Sequence, residues 1–187
     1  MSVFIEKLFE GAGKSIQLEK GEYESCTFSD CAFTSENFSH FIFIECTFER
    51  CDLSSIKVEN TSFKDINFVD CKMLGIQFEH ANPFLFQIEM NECQLNISSF
   101  YQVNLKNTLF NSCSLKEVDF TETNLTEVKM VNCDLTQAIF ERTNLQKADF
   151  YSSFNFQIDP TNNTVKGAKF SKEGALGLLS GFGIKIN

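Results

Sequence analysis

Residues 23–53 read YESCTFSDCAFTSENFSHFIFIECTFERCDL, and every fifth position in this stretch is large and apolar: Tyr23, Phe28, Phe33, Phe38, Phe43, Phe48 and Leu53. The pattern reaches back to Leu18 and on through Val58, Phe63, Phe68, Met73 and Phe78. It then skips two residues, resumes at Leu85, and continues through Met90, Leu95, Phe100, Leu105, Phe110, Leu115, Phe120, Leu125, Met130, Leu135, Phe140, Leu145 and Phe150. Two positions before each large residue stands a second inward candidate, mostly Cys, Ala, Ser, Thr, Val or Ile. A period of five suits neither a helix at 3.6 nor a strand at 2, so an ordinary sheet or bundle would leave many of these side chains in water. A chain that turns a corner every five residues keeps them all inside.

Segments such as Ala148-Asp149-Phe150 and Cys133-Asp134-Leu135 resemble the A-(D/N)-L-x-x unit of the pentapeptide-repeat family, over roughly residues 16–152. The resemblance implies an all-β fold, a right-handed quadrilateral β-helix with four pentapeptides per coil. Just under seven coils follow, about 32 Å long at the usual inter-strand spacing. Stacking by twenties then gives one core ladder of Phe28, Phe48, Phe68, Met90, Phe110, Met130 and Phe150. An opposite ladder holds Leu18, Phe38, Val58, Phe78, Phe100, Phe120 and Phe140. Such alternating volumes fill a narrow interior and leave no room for a buried ligand.

The ends and the skip are less regular. Phe4, Ile5, Leu8 and Phe9 before Gly11-Ala12-Gly13 are expected to fold over the first coil, making residues 1–15 an N-terminal cap. The skip in residues 79–84, with its Asn82-Pro83 turn signal, reads as a two-residue corner bulge. From Ser152 to Thr164 the repeat is expected to fail as a loop, with Phe170 adding a last rung above Phe150. Within residues 153–187, Ser171 then caps a short helix over 172–180, and Phe182, Ile184 and Ile186 alternate like a strand.

No catalytic or metal-binding constellation emerges. All eight cysteines fall at the small inward position, and six of them, Cys31, Cys51, Cys71, Cys93, Cys113 and Cys133, lie one coil apart in a column; Cys26 and Cys46 pair on the adjacent face. Parallel inward thiols lack the convergent, closely paired spacing of a zinc site and the torsional geometry of a disulfide, so they read as buried filler. His40 and His80, the only histidines, have no triad or metal spacing and read as solvated. Gly11-Ala12-Gly13-Lys14-Ser15 lacks the glycine spacing of a phosphate loop, and the Asn-x-Ser/Thr matches are accidents of an Asn-rich repeat. No cofactor is expected.

Charge and length frame the function. The 187 residues carry 25 acidic against 16 basic side chains, net −9, which disfavours direct nucleic-acid binding and suits a partner with a basic groove. The lack of a long apolar run and of a signal-peptide pattern leads to the expectation of a cytoplasmic protein with no membrane contact. Overall length and the C-terminal segment resemble the quinolone-resistance (Qnr) and microcin-immunity members of the family. That resemblance implies a homodimer joined at the C-terminal end, and Leu176, Leu179, Phe182, Ile184 and Ile186, apolar residues expected to be exposed there, are the candidate contacts. It also implies a DNA-mimicking rod that binds DNA gyrase or topoisomerase IV. Asp70, Glu89, Glu92, Asp119 and Glu122 are then the acidic partner-facing candidates. Between residues 16 and 152 the net charge is −11, against about 19 charges on duplex DNA of the same length, and the two more acidic of the four faces, −4 each, lie opposite each other. Qnr-type proteins carry longer projecting loops than this two-residue skip provides. The alternative is an interaction scaffold whose flat Ser, Thr and Asn faces contact another protein.

Overall fold

The computed structural model describes residues 2–179, Phe182 and Ile184. Its backbone winds into a four-sided all-β solenoid of parallel strands with about six turns, plus an incomplete turn at the N-terminal end. Strands β1 (Ser2–Ile5), β3 (Gly21–Glu24), β5 (Ile42–Ile44) and β7 (Ser62–Lys64) stack on one side. Strands β2 (Leu8–Glu10), β4 (Thr27–Ser29), β6 (Thr47–Glu49), β8 (Ile66–Val69), β9 (Ile88–Asn91), β10 (Leu109–Asn111) and β11 (Lys129–Val131) stack on the next. The remaining two sides are held by single bridges repeating every turn, as in Ala32–Asp52–Lys72–Gln94–Ser114–Asp134 and Ser99–Asp119–Ile139.

The corner explains the period. Two residues after nearly every large inward side chain the backbone enters the left-handed region, at Ser25, Asp30, Ser35, His40, Glu45, Arg50 and onward to Lys147, with φ between about 50° and 66°; the corner after Phe78, at the skip, is the exception in the regular run. A non-glycine residue in that region costs roughly 1 kcal/mol. The cost is offset because the same residue's N–H donates to a carbonyl one turn further on, as in Ser35 to Ser54 (2.8 Å) and Glu117 to Thr136 (2.9 Å). One strained residue therefore redirects the chain and ties two turns together.

The large residues form the expected ladders. Phe28, Phe48 and Phe68 stack at 4.5 and 5.3 Å between ring centroids; Phe78, Phe100, Phe120 and Phe140 stack at 4.6, 5.6 and 5.3 Å. Rings on neighbouring sides meet edge to face, as do Phe100 and Phe110 at 6.1 Å. Offset stacks and T-shaped pairs are the arrangements that aromatic quadrupoles favour. Phe170 does stack on Phe150, at 5.5 Å.

Expectations about three irregular segments are corrected. The N-terminal segment is not a lid: β1 and β2 pair in register with β3 and β4, Phe4 stacking on Tyr23 and Phe9 on Phe28. The repeat therefore begins near Phe4. Its first turn is one residue short, since Ser2 pairs with Gly21 and Leu8 with Thr27. A Cβ on Gly21 would lie 2.5 Å from the Ser2 carbonyl oxygen, so only glycine lets this turn close.

At the skip, Leu85 is not the inward residue. It is 62% exposed and occupies the left-handed corner, φ 56°, while Phe86 turns in against Phe63 (6.1 Å) and Phe78 (6.2 Å). The bulge is Pro83-Phe84-Leu85, started by the Asn82 side-chain oxygen accepting from the Phe84 N–H (2.9 Å). Three residues are gained before Phe86 and one is lost before Met90, which restores the ladder with Ile88 opposite Ile66. The net of two residues conceals this internal shift.

The repeat also does not fail after Ser152. Bridges Asp134–Phe154, Asn144–Thr164 and Asp149–Lys169 complete another turn, with Ser153 and Ile158 buried at its small inward positions. Here too the ring comes one residue late: Asn155 takes the left-handed conformation, and buried Phe156 packs against Phe150 and Phe170, both at 5.5 Å. The expected helix over 172–180 is a five-residue 3₁₀ turn, Gly174–Leu178, whose N-cap position is Glu173 and not Ser171; the Ser171 hydroxyl, two residues earlier, accepts from the Gly174 N–H (2.9 Å). This turn lies against Phe156 so closely that a Cβ on Gly177 would meet the Phe156 carbonyl oxygen at 2.3 Å. A longer α-helix would lift off that contact. Phe182 and Ile184 are not in a strand, and Ile186 lies outside the described residues.

Candidate interaction surfaces

Among the described residues the interior offers no reaction chamber, because both inward positions of each pentapeptide are occupied by packed side chains. The six-cysteine column is free thiol throughout, and each of its sulfurs donates to a backbone carbonyl one turn below, as Cys51 does to Phe28 (3.4 Å) and Cys113 to Met90 (3.4 Å). Cys46, in the neighbouring pair, does the same to Tyr23, and burial pushes its thiol up to about 11. A thiol held protonated is a weak nucleophile and a poor metal ligand. Thr61, Thr123, Thr143 and Ser153 make the same contact through hydroxyls at 2.7 or 2.8 Å. Serine, threonine and cysteine are thus interchangeable wall elements that tie adjacent turns, and Ser153 extends the cysteine column by one place. Among the described residues no group of three or more His, Cys, Asp or Glu side chains is arranged to hold a metal ion.

The outer surface carries the remaining candidates. The five acidic candidates do not converge. Asp70, Glu89 and Glu92 lie on the side of Phe68 and Met90, whereas Asp119 and Glu122 lie on the side of Phe120, across the solenoid. Glu122 accepts from Gln102 (2.6 Å) and pairs with Arg142 (2.7 Å), which together lower its pKa. Asp119 accepts from the Thr121 N–H (2.8 Å). His40 and His80 are not buried, and the His40 ring meets the Asn60 side chain at 3.3 Å.

Charge is instead divided along the axis. Residues 1–93 hold sixteen acidic and seven basic side chains, net −9, while residues 94–187 hold nine of each, net zero. Ion pairing sharpens the contrast. In the second half Glu122, Glu127, Asp134, Glu141 and Asp149 each have a Lys or Arg partner, mostly one turn away. In the first half only Asp30, Glu49 and Asp52 do so among the described residues. The Arg50 guanidinium, hydrogen-bonded to Asp30 at 2.8 Å, holds that carboxyl at about 2 with help from Ser29. A total charge does not disclose this polarity; counting by position along the repeat would have.

The C-terminal end presents a different surface. Leu176, Leu179, Phe182 and Ile184 are all exposed around the 3₁₀ turn. No helix among the described residues is long and apolar enough to cross a membrane.

Comparison with known proteins agrees with this architecture. No curated protein shows significant sequence similarity to the chain. A trypsin-treated variant of QnrB1, a plasmid-mediated fluoroquinolone resistance protein, superposes with a TM-score of 0.54 at 18% identity, covering 99% of this chain and 97% of that one. HetL, a pentapeptide-repeat protein involved in heterocyst differentiation regulation from the cyanobacterium Nostoc sp. strain PCC 7120, gives 0.47 at 12% identity over 92% of this chain and 88% of its own. At 18% identity the likeness to QnrB1 is one of fold. The family model for the pentapeptide repeat region matches residues 22–100 and 77–150, and with the five-residue corners and filled four-sided core it establishes that the chain belongs to the pentapeptide-repeat family.

Proposed function

We propose that this chain is a non-enzymatic cytoplasmic protein that acts by contact with a protein whose surface normally binds DNA, with DNA gyrase or topoisomerase IV as the target. The observation that carries the reading is the acidic N-terminal half. Its five rungs from Phe9 to Met90 span about 19 Å at the usual strand spacing, a length of duplex that carries about eleven charges. Residues 1–93 supply a net nine, mostly without cationic partners. The neutral second half lacks this match, so the contact is assigned to the first half rather than to the whole rod. QnrB1, which shares the fold, is a fluoroquinolone resistance protein, and this supports the choice of target.

The test is a gyrase supercoiling assay with and without a quinolone. Micromolar protein is expected to inhibit supercoiling or to relieve quinolone poisoning, and Glu22→Lys combined with Glu45→Lys and Asp65→Lys to abolish the effect. Absence of any effect on gyrase and on topoisomerase IV would reject this target.

The reading includes a homodimer through the C-terminal end, where Leu176, Leu179, Phe182 and Ile184 supply exposed apolar surface. That geometry would hold the two acidic halves at the outer ends. Light scattering is expected to give twice the 21.3 kDa chain mass, and Leu176→Glu with Phe182→Glu to halve it. A monomer for the unsubstituted chain would remove the dimer from the proposal.

A further inference from the structure

The bulge at Pro83–Leu85 opens a groove of about 760 Å³ between the turn it leaves and the turn above. Glu79 and His80 line one part, and Leu85, Phe86, Tyr101 and Val103 line much of the rest; no lysine or arginine does so. Glu79 is unusual. Its Oε2 is the one buried side-chain nitrogen or oxygen among the described residues that has no hydrogen-bond partner. The neighbouring turns give no relief: the Asn60 N–H bond to the His80 carbonyl sets Glu59 beside Glu79 from the turn below, the Gln77–Ser99 bridge sets Tyr101 beside it from the turn above, and neither side chain bonds the Glu79 Oε2. Buried carboxylate oxygens ordinarily find a donor.

We propose that this groove is a docking site for an arginine side chain on a loop of a protein partner. Each wall matches one part of that group. The carboxylate of Glu79 offers the acceptor for a guanidinium, a pairing favoured by the planar fork of donors. The rings of Phe86 and Tyr101 attract a weakly hydrated cation at their faces. Leu85 and Val103 cover the methylene stem, as long cationic side chains prefer. The partner is a different protein and not a second copy. This chain has only two arginines, and both are committed: Arg50 to Asp30 and Glu49, Arg142 to Glu122 and Glu141. The proposal rests on the chain acting by protein contact and does not require the partner to be a topoisomerase.

The test uses the full chain, isotopically labelled, titrated with N-acetylarginine amide at low salt and followed by NMR. The expected result is a saturable shift confined to backbone amides near residues 79–86 and 101–104, with a dissociation constant on the order of millimolar. The neutral isostere N-acetylcitrulline amide should leave those amides unmoved. Glu79→Gln should weaken binding about tenfold or more, equivalent to the loss of one charge-assisted contact, with an unfolding midpoint no lower than that of the parent. Tyr101→Ala, at a partly exposed position, should weaken binding by a smaller factor and provides a second readout. Equal binding by Glu79→Gln and the parent would overturn the proposal. So would shifts spread over the acidic residues of the first half, or no saturation at all. Failure in the gyrase assay has no bearing on any of these outcomes.

Discussion

Replacing Phe100 with alanine is expected to destabilise the protein by about 4 kcal/mol, measured as a shift in the urea or guanidinium unfolding midpoint at unchanged slope. Phe100 is fully buried, lies nearly parallel between Phe78 (4.6 Å, 3°) and Phe120 (5.6 Å, 4°), and meets Phe110 edge to face. Deleting the ring loses its transfer free energy and leaves a cavity, and the size of the cavity term depends on how far the walls can collapse. Here they are pinned. The Phe78 N–H donates to Ser99 at 2.9 Å and the Phe100 N–H to Asp119 at 2.8 Å, so adjacent turns cannot close over the gap without breaking the ladder.

Phe170 provides the contrast. It stacks on Phe150 and packs on Phe156, but it sits on the last rung and is only partly buried. Phe170→Ala is expected to cost only about 1–2 kcal/mol. In a solenoid each turn contacts only its neighbours, so a defect at mid-rod weakens two interfaces and a defect at the end weakens one. Equal losses at the two positions would show that ring stacking does not govern the stability of this core.

This division between a regular middle and special ends also explains what could be read from the residues alone. A period of five repeated from Leu18 to Phe78 and from Met90 to Phe150 calls for a chain that turns at the same interval; the ladders and the cysteine column then follow from the four units per coil that the family resemblance implies. The misassigned places share one cause. At Leu85, the expected inward position, and at Asn155, where the period of five would have continued inside the expected loop, the residue adopts the left-handed conformation, and Phe86 and Phe156 bring a ring inward one residue later. Apolar identity cannot distinguish Leu85 from Phe86 when both are large. The choice is made by backbone geometry at a bulge, which depends on the turns above and below. At the N-terminus the signal was present, since Phe4 and Phe9 are themselves five apart, but the first turn of nineteen residues puts them out of phase with Tyr23 and Phe28 under a spacing of twenty.

The exterior was less legible for a different reason. Outward side chains are not constrained by packing, so their pattern carries partner information only when combined with the fold. The sum of −9 becomes meaningful once residues 1–93 are seen to occupy one half of a rod, and once the i, i+20 ion pairs of the other half are seen to cancel its charge. Glu122 illustrates the point: it is one more acid in the sequence, but it is already engaged by Gln102 and Arg142 in the fold.

Ser98→Ala is expected to cost about 3 kcal/mol, a large effect for the loss of a single hydroxyl. The Ser98 Oγ is buried and makes two bonds to the turn below: it donates to the Met73 carbonyl at 2.8 Å and accepts from the Ile76 N–H at 3.0 Å. It thereby bridges the corner at Gly75 from above. Alanine would leave a donor and an acceptor unpaired in a space that water cannot easily enter, and each such group costs about 1–3 kcal/mol. Thr123 is the matched control. Its hydroxyl donates to the Phe100 carbonyl at 2.7 Å, but that carbonyl also accepts from the Val103 N–H at 3.0 Å, so the corner is already closed by the backbone. Thr123→Val therefore orphans nothing and is expected to cost about 1 kcal/mol or less. Ser98→Cys should recover much of the loss, because Cys93 and its column mates bond to carbonyls from the same wall position. Denaturant unfolding gives the three free energies, and hydrogen exchange at the Ile76 amide reports on the bridge itself. If Ser98→Ala costs no more than Thr123→Val and the Ile76 amide stays protected, the hydroxyl is filler and not a tie between turns.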